Sequence, residues 1–299
     1  MKEIAYAAPR TVADAVTALK QANGNGKVLA GGTDILVQLR EGTRNADVLV
    51  DLKKIPEMTE IRQLPSGGWQ IGAATPCHRI ESTTPFADAY PGIIDGVHVI
   101  GGWQIKGRAS LGGNLCTSSP AADSIPALIA HQAVVKIVGP EGSREIPVAE
   151  FCTGPGKNVL QPAELVASFT IPPLPPHSSG CYLRFIPRSE MDIAVVGCGT
   201  TLTVENDQIT HARIALGAVG PKQIVADDAA AWLIGKPATL ESFEKAGELA
   251  RKVATPISDM RGPADYRTHL VGVLVKRSLM TSLRRIRGER VNVLQDKLA

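Results

Sequence analysis

Two segments of the chain set adjacent glycines beside polar residues at the mouth of an apolar helical pattern, about eighty residues apart. The first is Ala30-Gly31-Gly32-Thr33-Asp34-Ile35-Leu36, and the second runs Ser110-Leu111-Gly112-Gly113-Asn114. Paired glycines let a backbone turn sharply and approach a ligand closely, with N–H groups directed at it. In the first segment the N–H groups of Gly31, Gly32, Thr33 and Asp34 would converge ahead of a helix, where the positive end of the dipole suits a pyrophosphate. A carboxylate repels phosphate, so Asp34 is expected to cap that helix by accepting its N–H groups. A plain strand-to-helix turn is the other reading of the same residues.

The second segment continues through Cys116-Thr117-Ser118-Ser119-Pro120 to Asp123. Its hydroxyls, with Asn114, can donate and accept, and Asp123 can accept from sugar or polyol hydroxyls. Two such segments could hold two parts of one long phosphorylated cofactor. Neither is a G-x-G-x-x-G dinucleotide fingerprint, and no G-x-x-x-x-G-K-[ST] loop is present.

The chain has 299 residues, 44% hydrophobic and 20% charged, the composition of a folded globular protein of one large or two ordinary domains. A net charge of +3 gives no argument for nucleic acid. The basic run Arg284-Arg285-Ile286-Arg287-Gly288-Glu289-Arg290 fits a helix C-terminus, where cations suit the dipole, or a docking surface. The N-terminus lacks the apolar stretch of a signal peptide, and no run approaches the roughly 18 residues of a membrane span. A cytoplasmic protein with no transmembrane segment is expected. Cys77, Cys116, Cys152, Cys181 and Cys198 are odd in number and widely spaced, against a disulfide framework, a zinc site or an iron–sulfur cluster. The six histidines, His78, His98, His131, His177, His211 and His269, show no ligand spacing, so no metal site is expected. Cys116 reads as a buried thiol, with a covalent link to a cofactor as the other option. Trp103 reads as a core residue, with stacking on a ring as the other option.

The elements that must position these residues follow from periodicity. Val12, Ala15, Val16 and Leu19 share one helical face behind an N-cap at Thr11. Strands are predicted at 27–30 and 48–52, with a helix at 35–40 between them. A hairpin with its turn at Ser66-Gly67-Gly68 fills 59–73, a helical segment lies around 78–90, and a buried helix fits 125–130. A second hairpin at 134–138 and 143–146 and a strand at 164–171 complete the first domain. Pro172-Pro173-Leu174-Pro175-Pro176 cannot continue a helix or a central strand and marks a linker. Beyond it, strands are predicted at 181–187, 192–205 and 208–219, with a tight turn at Asn206-Asp207. Helices follow at 226–234, 239–253 and 264–287, so an antiparallel sheet should lie under helices.

In order along the chain, these residues resemble the FAD subunits of the molybdenum hydroxylases, the xanthine dehydrogenase and carbon monoxide dehydrogenase family. The likeness extends beyond the glycine segments to Phe151–Gly156, Glu164–Pro172, Arg184–Val196, Ala212–Val219 and Arg261–Val275. The resemblance implies an α+β fold: a vanillyl-alcohol-oxidase-like (PCMH-type) FAD-binding domain of two subdomains over 1–175, a linker at 176–180, a C-terminal domain with a three-stranded antiparallel sheet and helices over 181–287, and a tail at 288–299.

The same resemblance implies that Ala30, Gly31, Gly32, Thr33, Asp34, Ile35 and Leu36 wrap the FAD pyrophosphate. Ser110, Gly112, Gly113 and Asn114 would form a second wall. Asp123 would take ribityl or ribose hydroxyls, and Arg184 or Arg188 would lie near the flavin ring and stabilise negative charge on it. Some relatives place a tyrosine over the ring where this chain has Met191 and Asp192, and Ile193 is an apolar substitute for it. No residue of the chain is expected to be catalytic toward an organic substrate. The implied protein is an oxidoreductase component, the electron-transfer subunit of a heterotrimer. A large subunit would carry molybdopterin and a small one two [2Fe–2S] clusters, with electrons leaving from FAD to an external acceptor, in a dimer of heterotrimers. Two other readings remain: a self-contained flavin oxidase of the same fold, and a flavin-free assembly or binding module.

Overall fold

The computed structural model describes residues 3–188 and 191–293; Met1 and Lys2, Ser189 and Glu190 of the 184–196 segment, and the last six residues of the tail lie outside it. Three larger sheets carry the two domains, beside a two-stranded one of Cys152–Gly154 and Lys157–Asn158. The first is a parallel three-stranded sheet ordered Ala5–Ala7, Val48–Asp51, Gly26–Leu29. Its crossover is the helix Val12–Gln21, whose N-cap Thr11 accepts the N–H of Asp14 at 3.1 Å and which buries Ala15, Val16 and Leu19. The strand at 5–7 is one that periodicity does not predict. Three residues give too short a period to read, and Tyr6 is largely exposed.

The second sheet is antiparallel, ordered Ile61–Gln63, Trp69–Gly72, Leu165–Ile171, Val134–Gly139, Gly142–Pro147. The strand that closes the domain in sequence is therefore the central one in space. That explains its nearly unbroken burial: only Thr170 of Leu165–Ile171 escapes it, and even Ser168 is buried. The segment around 78–90 is two helices, Cys77–Ser82 and Thr84–Ala89, because Pro85 cannot donate into the preceding turn and starts a new helix instead. Helices Pro91–His98 and Trp103–Lys106 follow.

The C-terminal sheet has four antiparallel strands rather than three: Ser178–Phe185, Val196–Glu205, Gln208–Gly217 and the two-residue Ile224–Val225. The first of these begins at Ser178, inside the stretch predicted as linker, and the second begins at Val196 rather than at 192. Asn206 and Asp207 both have positive φ (51° and 59°), the tight hairpin turn their residue types favour.

Val196–Glu205 is buried along its length except at Glu205, because helices cover both faces. On one side Gly199 lies so close to Pro126 of helix Ser124–Ala130 that a Cβ would collide with its carbonyl oxygen. On the other, Cys198 and Thr200 meet Ser278 and Ser282 of helix Ala264–Ile286 at 3.4 and 3.2 Å.

The two domains are joined through strand Ser178–Phe185. Asp95, on helix Pro91–His98, accepts from both guanidinium nitrogens of Arg285 at 2.7 and 2.9 Å and from the N–H of Tyr182 at 3.1 Å, while Arg285 also donates to the carbonyl of Gly180. The basic run at the end of helix Ala264–Ile286 is thus largely consumed within the chain. Arg284 pairs with Glu289, Arg285 with Asp95 and Arg287 with Asp207.

Candidate functional site

The parallel sheet ends its strand Gly26–Leu29 directly at Ala30, so the chain must turn before the helix Ile35–Arg40 can begin. Gly32 makes that turn with φ +83°, a conformation side chains resist. The N–H groups of Gly32, Thr33 and Asp34 donate no hydrogen bond within the described chain. Lys53 holds the turn from below: its Nζ donates to Ala30 O at 2.8 Å and to Asp51 Oδ1 at 2.6 Å, and Tyr6 Oη donates to the other oxygen of Asp51 at 2.6 Å. Burial pushes the Asp51 carboxyl up, but the hydrogen bonds from Lys53 and Tyr6 outweigh it and hold the group below the usual carboxylate range.

The second glycine pair is not a loop ahead of a helix. It is the first turn of the helix Leu111–Thr117, with Ser110 as N-cap accepting the N–H of Gly113 at 3.2 Å. Its two glycines serve different ends. A Cβ on Gly112 would stand 2.5 Å from Ala73 O, so this glycine allows backbone contact with the antiparallel sheet. A Cβ on Gly113 would meet no backbone, only the capping Ser110 Oγ, in a tight contact at 3.3 Å. The first pair divides likewise. A Cβ on Gly31 would collide with Arg108 O, so Gly31 is what lets the two segments touch, and Arg108 Nε returns a bond to Gly31 O at 3.3 Å.

Asp34 occupies the N-cap position of its helix but makes no side-chain cap bond there. Its backbone is already helical (φ −105°, ψ −56°), unlike the extended geometry from which side chains usually cap. Its Oδ2 instead lies 2.9 Å from Thr117 Oγ1, tying the first segment to the second helix.

Between these segments opens a cavity of about 940 Å³. Ala30, Gly31, Gly32, Thr33, Asp34 and Ile35 line it from one side, and Ser110, Gly112, Gly113 and Asn114 from another. Leu36 does not line it; its side chain is largely exposed. A third wall, which no motif in the sequence marks, is the stretch 156–166. Asn158 fastens it to the second helix by donating to Cys116 O at 3.3 Å and Ser118 Oγ at 3.1 Å. Glu164 fastens it to Arg144, whose bond holds the Glu164 carboxyl below its ordinary range. Ile100, Ile105, Leu160 and Val166 add apolar surface. Cys116 also lines the cavity, but burial, with a further push from Cys152, raises its thiol to about 12, so it stays protonated and a poor nucleophile.

Asp123, Arg184 and Arg188 stand outside these walls. Asp123, expected to take sugar hydroxyls, has both oxygens engaged within the protein, Oδ1 by Tyr182 Oη at 2.8 Å and Oδ2 by Arg184 at 2.9 Å. Burial pushes its carboxyl up to about 6 against the pull of Arg184 and Tyr182. Arg184 also donates to Asp192 O at 3.1 Å. Arg188 is exposed and pairs with the Asp192 carboxylate at 3.1 Å. Met191 and Ile193 are exposed, and Trp103, expected in the core, is 72% exposed on the short helix after Gly101-Gly102. Among the described residues no group of histidine, cysteine or carboxylate side chains could hold a metal ion.

Lys53, Asp51, Arg108, Asn158, Arg144 and Glu164 are not marked by any sequence motif, because each acts on a backbone distant in sequence or around a bend. The one local signal is Asp51 at the end of an apolar strand, a position that often faces a ligand site.

Residues 2–174 match the family described as FAD binding domain in molybdopterin dehydrogenase, and residues 182–282 match the CO dehydrogenase flavoprotein C-terminal domain. The chain is 30% identical over 273 residues to the xanthine dehydrogenase FAD-binding subunit of Escherichia coli O157:H7, covering 91% of this chain and 93% of that one. It is 30% identical over 274 residues to the carbon monoxide dehydrogenase medium chain of Hydrogenophaga pseudoflava, covering 92% and 95%. Among solved structures, a chain of reconstituted CO dehydrogenase from Oligotropha carboxidovorans superposes with a TM-score of 0.91 at 28% identity, covering 95% and 98%. A chain of quinoline 2-oxidoreductase from Pseudomonas putida 86 does so at 0.89 and 25%, covering 96% and 99%.

Proposed function

Given that this chain belongs to the FAD-binding subunits of the molybdenum hydroxylases, and so is an oxidoreductase component, we propose that it is the electron-transfer subunit of a three-subunit enzyme, standing between a [2Fe–2S] subunit and an external acceptor. A large subunit carrying molybdopterin oxidises the organic substrate, and two heterotrimers pair in the cytoplasm. The matched relatives are named for xanthine and carbon monoxide dehydrogenases, and their chains correspond to nearly the whole of this one.

The observation that carries the reading is the meeting of both glycine segments at one cavity, with three backbone N–H groups unpaired on one wall and the first helical turn at Gly113 lining the other. That donor set fits a pyrophosphate, and the apolar surface beside it fits flat rings. Ala30 to Ile35 hold the pyrophosphate from one side, with Asp34 serving the wall through its bond to Thr117 rather than by touching phosphate. Ser110, Gly112, Gly113 and Asn114 hold it from the other, Gly112 by seating the helix and Gly113 by admitting the ligand.

FAD, when bound here, supplies two-electron chemistry that can also run in single-electron steps. The chain's own groups shape that chemistry. Arg184 and Arg188 stand by the segment 191–193 as ion pairs with Asp123 and Asp192, and what they would offer a ring placed beside them is N–H donors, which favour negative charge on it, rather than net positive charge. Asp123 and Tyr182 hold Arg184 in position instead of binding sugar hydroxyls. Cys116 does not compete for a covalent bond, since its thiol stays protonated.

The test is the colour of the purified full-length chain. Flavin absorption bands, with FAD released at one equivalent per chain on denaturation, are expected. Colourless protein that takes up no FAD on reconstitution refutes the reading. Purification of the native assembly should bring two further chains, molybdenum and iron. Oxidation of an organic substrate by the isolated chain would favour a self-contained oxidase instead.

A further inference from the structure

The wall 156–166 lacks regular structure between the two-residue strand Lys157–Asn158 and the start of the central strand at Leu165, yet it closes one side of the cavity. A segment of this kind keeps its shape only where something outside it supplies partners for its backbone. Its near end has such partners in Cys116 O and Ser118 Oγ, to which Asn158 donates, and in Ser118 O, which accepts the N–H of Gly156 at 3.0 Å. Its far end has one cluster, in which Arg144, on the edge strand Gly142–Pro147, reaches across the neighbouring strand. Arg144 Nε and Nη2 meet Glu164 Oε1 and Oε2 at 3.2 and 2.8 Å, and Nη2 also donates to Val159 O at 3.0 Å. Glu164 Oε2 in turn accepts the N–H of Gln161 at 2.7 Å, and the Glu164 N–H donates to Gln161 O at 3.0 Å. Ala163 is bent into a left-handed conformation (φ +62°), which an alanine adopts only when its surroundings impose it.

Arg144 does not line the cavity; its side chain lies on the outer side and is 39% exposed. Everything it grips does line the cavity or adjoins a residue that does: Val159, Gln161 through Glu164, and Glu164 itself. A planar guanidinium that binds both oxygens of one carboxylate and a carbonyl fixes three points of a loop at once, which a lysine cannot do.

We propose that Arg144 and Glu164 are positioning residues of the flavin site, pinning the third wall in the shape that retains FAD without contact between Arg144 and the cofactor. This rests on the flavin-holding reading above. The wall is fixed before the ligand arrives, so its ordering is not charged against binding. Loss of the pin leaves the fold intact, because the central strand Leu165–Ile171 keeps its pairing to both neighbours, and leaves the wall to be ordered by FAD itself.

The experiment uses the full-length chain stripped of flavin and titrated with FAD, with flavin fluorescence giving Kd and dilution giving the release rate. Apoprotein melting is measured in parallel. Arg144→Ala and Glu164→Gln should each raise Kd about fivefold to tenfold, mostly through faster release, since a partly exposed charge-assisted cluster is screened. Arg144→Lys, which keeps charge and one donor, should fall between them and wild type. Apoprotein melting should stay at the wild-type value. Wild-type Kd in both Arg144→Ala and Glu164→Gln would overturn the proposal, as would an apoprotein destabilisation large enough to account for the whole loss. If the wild-type chain itself binds no FAD, the flavin reading falls first and this inference with it.

Discussion

Thr117 and Asp34 stand 83 positions apart and meet at 2.9 Å, hydroxyl to carboxylate, across the mouth of the cavity. Each belongs to a helix whose beginning forms one wall. The contact therefore ties together two cavity-lining backbones rather than stabilising either helix. Asp34→Ala should weaken FAD binding several-fold and cost about 0.5–1 kcal/mol of stability, the usual range for one exposed hydrogen bond. Asp34→Asn, which keeps an acceptor for Thr117, should restore most of the affinity. FAD titration of the two variants decides it; equal affinity in Asp34→Ala and wild type would show that the spacing is set elsewhere.

The two glycines at the contact between the segments and at the second wall should behave oppositely when replaced by alanine. At Gly31 a methyl would collide with Arg108 O, so Gly31→Ala should lower stability by about 3 kcal/mol and separate the segments. At Gly113 the new methyl meets only the Ser110 hydroxyl, at 3.3 Å, and the gain of about 0.5–1 kcal/mol for alanine over glycine in a helix turn offsets the small shift that this hydroxyl must make. Gly113→Ala should therefore melt no lower than wild type yet hold FAD more weakly. A Gly113→Ala protein with full flavin content would mean that the ligand does not approach this helix.

Asp123 gives a pH signature. Its ordinary value is 3.8 and burial in the folded chain raises it to about 6, with Arg184 and Tyr182 opposing. Below 3.8 the carboxyl is protonated whether the chain is folded or not. Between 3.8 and 6 the folded chain holds the extra proton, so this group's contribution falls as pH rises through that window, by up to about 3 kcal/mol, and is flat above it. Asp123→Asn cannot titrate. Urea denaturation at a series of pH values should show the wild-type-minus-variant difference moving toward the variant between pH 3.8 and 6. A constant difference would refute the assignment.

The pair Asp95–Arg285 is buried on both sides, at 8% and 7% exposure, and joins the two domains. Arg285→Met leaves a carboxylate without its partner and should cost about 3–5 kcal/mol. Adding Asp95→Asn, whose carbonyl still accepts from Tyr182, should recover most of that loss. Chemical denaturation of the single and double variants checks it; a double variant as unstable as the single would place the cost in lost packing instead of stranded charge.

Much of the fold is legible in the sequence, because periodicity and turn chemistry act over a few residues. The face Val12, Ala15, Val16 and Leu19, the stop at Pro172–Pro176 and the hairpin turn at Asn206-Asp207 all need only their neighbours. Periodicity is silent where a segment is very short, as at Ala5–Ala7 and Ile224–Val225. Residue type misleads where a side chain's environment is made by another part of the chain. Trp103 looks like a core residue by type, but the short helix that carries it turns it outward.

The site divides in the same way. Residue types and order alone determined that two glycine-bearing segments stand at helix beginnings and that they suit a phosphorylated cofactor. Only the tertiary structure decided what stands beside each glycine: backbone at Gly31 and Gly112, and only the Ser110 hydroxyl at Gly113. It also gave Asp34 the hydroxyl of Thr117 in place of a cap bond, paired Asp123 with Arg184 and Tyr182, and brought Arg144 to the wall at Glu164. The reason is physical. Backbone conformation is set largely within a turn or two, but the partner of a carboxylate and the free space beside a Cα depend on distant segments that meet only when the core closes.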